Sequence, residues 1–107
     1  MEKRIENIVR HAEVSEKAIE RYLVDAVKSA GGIALKYSNS NKVGFPDRVA
    51  IMPAGRTIWF ELKSKGQQPS KIQRIRFADM ARIGHKVYVC DSKESINEVL
   101  RTYGYDI

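Results

Sequence analysis

Between Ser15 and Gly32 the apolar residues Ile19, Leu23, Ala26, Val27 and Ala30 recur at three- and four-residue spacing. That period lines them along one side of a helix, with Ser15 as its N-cap and Gly31-Gly32 as its end. Ahead of it, "IENIVRHA" reads as a short helical segment with Ile5, Ile8 and Val9 on one side. Downstream the pattern shortens. "IALKYS" reads as a strand and "NSNKVGFP" as a loop; "DRVAIMP" and "TIWFELKS" are β-rich runs joined by the turn "AGR", which makes them antiparallel neighbours in a hairpin. A polar loop, "KGQQP", leads to Ser70, the cap of a helix "KIQRIRFADMARIG" with Ile72, Ile75, Ala78, Met80 and Ile83 as its apolar side and Gly84 as its stop. "HKVYVC" is then a short buried strand. "SKESINEVLRTYG" is a final helix capped by Ser92 or Ser95, with Ile96, Val99 and Leu100 facing inward.

The predicted order is α-β-β-β-α-β-α. A helix crossing from the third strand to the fourth suits a parallel pairing of those two, so the fold class is α/β, a mixed sheet flanked by helices. The 107 residues form one domain, 1–107, because two would each be too thin to bury a core.

Composition narrows the function. With 43% hydrophobic and 30% charged residues the chain is an ordinary folding sequence and not a disordered one. Its 19 lysines and arginines against 13 acidic residues leave a net charge of +6, the balance of a polyanion-binding protein. A single cysteine, Cys90 in an apolar run, excludes an intrachain disulfide and a thiolate zinc cluster, and reads as a small buried hydrophobe. No stretch has the length of a signal peptide or a membrane span, so the expectation is a cytoplasmic protein with no membrane partner.

Against that background one group of charges stands out. Asp47 opens one hairpin strand, and Glu61 and Lys63 lie two apart near the end of its partner, on the same face, with Leu62 turned to the opposite one. The hairpin brings the two carboxylates together, where they repel unless a cation joins them. A hard divalent ion with oxygen ligands does so, and it also activates water and stabilises charge on a phosphoryl group. The alternative is a surface salt bridge among Asp47, Glu61 and Lys63 contributing about 0–1 kcal/mol.

"GFPDRVAI", "TIWFELKSKGQQPSKIQ" and "SEKAIERYLVDAVKSAGGIALKY" together resemble the VRR-NUC branch of the PD-(D/E)XK nuclease superfamily, over about Ser15 to Ile96. Gly-x-Pro-Asp followed by Glu-x-Lys and Ser-x-x-Gln is more specific than the superfamily's Asp…Glu-x-Lys alone. The stand-alone members it is similar to look like Holliday-junction resolvases and come largely from phages and bacteria. The resemblance implies a restriction-endonuclease-like αβββαβ core, dependence on Mg²⁺ or Mn²⁺, a homodimer, and cleavage of branched DNA such as four-way junctions; a flap-directed or restriction-like nuclease and an inactive DNA-binding module are the alternatives. It further implies Asp47 and Glu61 as metal-binding carboxylates, the Leu62 carbonyl as a further ligand, Lys63 as the catalytic lysine and Gln73 as a supporting amide. The family's first-helix glutamate falls on Glu16 or Glu20, four apart on one helical face; the "SEKAIE" context favours Glu16, which is the residue preferred, and counting back from Gly31 by analogy with the archaeal resolvases favours Glu20.

A DNA track around such a site needs cations. Lys36, Lys42 and Arg48 flank the Asp47 turn, and Lys65, Lys71, Arg74 and Arg76 follow the catalytic strand. Ser70 and the amides after it are candidates to hold a phosphate at the helix N-terminus. The scattered tyrosines suggest no base-stacking platform. Exposed apolar residues of the N-terminal segment and of the final helix are the candidates for a dimer surface.

Overall fold

The computed structural model describes residues 2–107, with side chains from Glu16 onward. In chain order its elements are α1 (Glu2–Ser29), β1 (Ile33–Lys36), β2 (Arg48–Met52), a 3-10 turn at Pro53–Gly55, β3 (Arg56–Leu62), α2 (Lys71–Arg82), β4 (Val87–Cys90) and α3 (Lys93–Thr102). The strands form one sheet in the order β1-β2-β3-β4. β1/β2 and β2/β3 are antiparallel, and β3/β4, joined through α2, is parallel. This is the expected α/β class with a mixed sheet. Among the described residues no helix is long and apolar enough to cross a membrane.

Strand alternation sorts the sheet into two unlike faces. Ala50, Met52, Ile58, Phe60, Leu62 and Cys90 are buried in a cluster with Ile19, Leu23, Ala26 and Val27 of α1 and Ile96, Val99 and Leu100 of α3. The periodicity read from the sequence for those two helices is therefore the one the core uses. In the register of the ladders the opposite face carries Ile33, Leu35, Val49, Ile51, Thr57, Trp59, Glu61, Val87 and Val89. α2 reaches that face beside Glu61 and leaves much of the rest open, with Ile33 61%, Ile51 49% and Leu35 46% exposed.

Three expectations are corrected. Ser15 lies inside a continuous α1 and is not an N-cap; extending a helix adds a hydrogen bond for each residue fixed, whereas restarting one means nucleating again. The apolar side assigned to α2 is mostly outside the core: Met80 is buried, but Ile72, Ile75 and Ile83 are exposed. The final helix offers no apolar surface, since Ile96, Val99 and Leu100 are all buried; the N-terminal segment named with it has side chains outside the described residues.

Candidate active site

The hairpin delivers Asp47 and Glu61 to one end of the sheet. Gly44 and Pro46 shape the approach. Gly44 has φ +97, and a Cβ there would sit 2.9 Å from Arg76 Cγ and 3.0 Å from the Ile72 carbonyl, so only glycine fits this crossing of loop and α2. Pro46 is fully buried. Arg76 fastens the loop from above, its Nε donating to the Val43 carbonyl at 2.9 Å and its guanidinium lying 5.8 Å from the Phe45 ring centroid. The sequence offered Arg76 to DNA; the structure uses it to hold the loop.

Asp47 and Glu61 then lock onto each other's backbone. The Asp47 amide donates to Glu61 Oε1 at 3.1 Å, and the Leu62 amide donates to Asp47 Oδ1 at 3.2 Å. The Glu61 side chain is 4% exposed, with Lys63 Nζ 3.2 Å from its Oε2. Gln73 Nε2 donates to the same oxygen at 3.0 Å. Lys63 and Gln73 thus meet on Glu61, beside Asp47. Burial, and secondarily the Glu61 charge, raise the Asp47 carboxyl above its ordinary value, against the opposing pull of Arg48 and the Leu62 amide.

The two candidate glutamates of α1 take different partners. Glu16 Oε2 accepts from Ser64 Oγ at 3.0 Å. Glu20 Oε1 lies 3.3 Å from Lys36 Nζ and 3.1 Å from Arg48 Nη2, and Arg48 Nη1 is in turn 3.3 Å from Asp47 Oδ2. Burial acts to raise the Glu20 carboxyl, but the Arg48 and Lys36 charges outweigh it and hold it below the ordinary value. Glu20 is linked to Asp47 through one guanidinium. Glu16 is tied to the end of β3.

The proposed phosphate cations divide in the same way. Lys42, Lys65, Lys71 and Arg74 are exposed. Lys36 is exposed but paired with Glu20, and Arg48 is enclosed, its side chain 13% exposed. Ser70 and Gln73 close a capping box on α2, the Ser70 amide donating to Gln73 Oε1 at 2.9 Å and the Gln73 amide to Ser70 Oγ at 3.3 Å. The Gln73 amide and the Ser70 hydroxyl, both offered to a phosphate by the sequence, are thus already engaged with each other. Two features escaped the sequence: the bridging position of Arg48, and an edge-to-face pair of Tyr37 and Trp59 at 5.3 Å on the Glu61 face.

The donor chemistry suits a hard divalent cation. Asp47 and Glu61 supply oxygen only, and their charges press on each other. Among the described residues no group of three or more His, Cys, Asp or Glu side chains is placed to hold a metal ion, so an ion on Asp47 and Glu61 would complete its shell with water and substrate oxygens, as Mg²⁺ commonly does.

No protein-family model matches the chain. Over 81 residues it is 37% identical to a protein named "Putative nuclease p44" from Acyrthosiphon pisum secondary endosymbiont phage 1, covering 76% of this chain and 87% of that protein. A solved structure described as a VRR-NUC domain superposes with a TM-score of 0.78 at 23% identity, covering 83% of this chain and 97% of the other. The chain belongs to the VRR-NUC family of nucleases. The superposition shows that this chain has the VRR-NUC fold.

Proposed function

We propose that this VRR-NUC nuclease is a Mg²⁺- or Mn²⁺-dependent endonuclease that hydrolyses phosphodiester bonds of branched DNA, with four-way junctions as its substrate and a homodimer as its working form. The observation that carries the reading is the paired approach of Asp47 and Glu61, each accepting a backbone amide from the other's strand, beside Lys63 and Gln73. Asp47, Glu61 and the Leu62 carbonyl would hold the ion; of the two α1 candidates, Glu20 is joined to Asp47 through Arg48 and Glu16 is bonded to Ser64 beside Lys63. The ion, when bound, lowers the pKa of water and stabilises charge on the phosphoryl oxygens. Lys63 orients the attacking water or the scissile phosphate, and Gln73 fixes Glu61. The exposed Lys42, Lys65, Lys71 and Arg74 neutralise backbone phosphates, and a net charge of +6 favours the polyanion. A second copy would cover the open apolar face around Ile33, Leu35 and Ile51 and would supply a second site for symmetric nicking.

The test is incubation of the purified protein with labelled four-way junction, splayed-arm, flap and linear duplex DNA in Mg²⁺, Mn²⁺ or EDTA. Metal-dependent nicking close to the branch point of the four-way junction supports the proposal. Preferential cutting of flaps or of linear duplex overturns the substrate, and binding without cleavage in either metal favours a DNA-binding module.

A further inference from the structure

Arg48 follows the catalytic aspartate directly, and no motif assigns it a task. In register with Phe60, it starts β2 on the face that packs against α1. Its guanidinium reaches around the end of the sheet. Nη2 lies 3.1 Å from Glu20 Oε1, while Nη1 lies 3.3 Å from Asp47 Oδ2 and donates to the Asp47 carbonyl at 3.0 Å. Nε is buried without a partner. With its side chain 13% exposed against 74% for Lys36, Arg48 is a fixed part of the site and not a surface cation. Both ends of its fork are engaged, which leaves neither free for a DNA phosphate.

We infer that Arg48 is a positioning residue of the nuclease: its planar fork holds the Asp47 carboxylate and the α1 carboxylate Glu20 in one arrangement, and its charge opposes the divalent ion that Asp47 binds. The inference rests on the metal-dependent reading above. Two effects follow from one side chain. A lysine keeps the charge but cannot span two carboxylates as a guanidinium does, so geometry and charge separate experimentally. Without the fork, Asp47 Oδ1 keeps its bond from the Leu62 amide while Oδ2 loses its partner. Without the charge, an ion on Asp47 no longer faces a cation one contact away, and Coulomb attraction tightens its binding.

The experiment is calorimetric Mn²⁺ titration of the full chain without DNA, paired with single-turnover cleavage, for wild type, Arg48→Gln, Arg48→Lys and the charge-balanced Glu20→Gln/Arg48→Gln. Arg48→Gln binds Mn²⁺ about tenfold tighter or more, because a positive charge is lost near the ion, yet cleaves more slowly at saturating metal. Arg48→Lys keeps wild-type Mn²⁺ affinity and shares the slow cleavage. The double variant keeps the net charge of wild type, so its Mn²⁺ affinity returns toward the wild-type value, and it guards against misfolding from an unpaired Glu20. A purely structural role predicts the opposite sign, Mn²⁺ affinity falling along with stability. Weakened or unchanged affinity in Arg48→Gln overturns the inference, as does Arg48→Lys cleaving at the wild-type rate. Wild-type protein that binds no Mn²⁺ overturns the metal-dependent reading itself.

Discussion

Gln73 donates from Nε2 to Glu61 Oε2 at 3.0 Å while its Oε1 accepts from the Ser70 amide at 2.9 Å, so one side-chain amide caps α2 and orients a carboxylate of the site. The start of α2 is thereby registered against β3.

That double use makes two substitutions informative. Gln73→Ala removes both side-chain bonds, leaves the Ser70 Oγ cap in place, and lowers stability by about 1–3 kcal/mol, chiefly from the lost donor to a buried carboxylate. Gln73→Glu keeps an acceptor for the cap but turns a carboxylate toward Glu61. If Glu61 holds the ion as proposed, cleavage falls about 10- to 100-fold in both. Urea unfolding beside single-turnover cleavage reads the two effects; wild-type stability in Gln73→Ala would show that neither side-chain bond of Gln73 stabilises the fold.

Asp47 sets a pH dependence whose direction follows from its raised carboxyl. The folded protein holds this proton where the unfolded chain releases it. The associated stability is complete below the ordinary value of 3.8 and is lost as pH rises through the higher folded value. Asp47→Asn should therefore melt at a higher temperature than wild type at pH 7, with the difference shrinking as the pH is lowered toward 3.8. Solvent screening keeps the gap small, since the side chain is 36% exposed. A variant less stable than wild type at pH 7 contradicts this account of the site's electrostatics.

Cys90 is 1% exposed. Burial, with Asp91 and Glu98 adding to it, pushes its thiol up to about 11 despite a bond with Ser95. Iodoacetamide at pH 7.5 should leave it unmodified in the native protein and label it fully in denaturant. Rapid native labelling, followed by mass spectrometry, would show that β4 opens readily.

The open sheet face is the surface proposed for a second copy. Ile51, 49% exposed in the single chain, loses little there on conversion to a charge, whereas an interface loses its apolar contact. Ile51→Glu should sediment as a monomer with nearly unchanged thermal stability, while wild type sediments as a dimer. A variant that stays dimeric puts the interface elsewhere.

The sequence exposed some of these relations better than others, for physical reasons. Helical spacing identified Ile19, Leu23 and Val27, and alternation separated Leu62 from Glu61 and Lys63, because each signal is carried by its own element. Gln73 was legible through its fixed offset from Ser70. In α2 the same kind of periodicity misled: it reports which residues share a side but not whether anything covers that side, and Ile72 and Ile75 are exposed. Ser15 resembles a cap but is overridden by a helix that continues through it. Arg48 was read as a solvent-facing cation because its enclosure depends on Glu20, 28 positions earlier, reaching it from α1. Nothing local to β2 encodes that meeting.

The most direct measurement of the central claim is cleavage and binding of a labelled four-way junction in Mn²⁺ by wild type, Asp47→Asn and Lys63→Ala. Wild type should nick the junction, and both variants should bind it equally well while cutting about a hundredfold more slowly or worse, the scale of loss when a preorganised charge is removed from a reaction site. Cleavage by Asp47→Asn at the wild-type rate would contradict the assignment of this site.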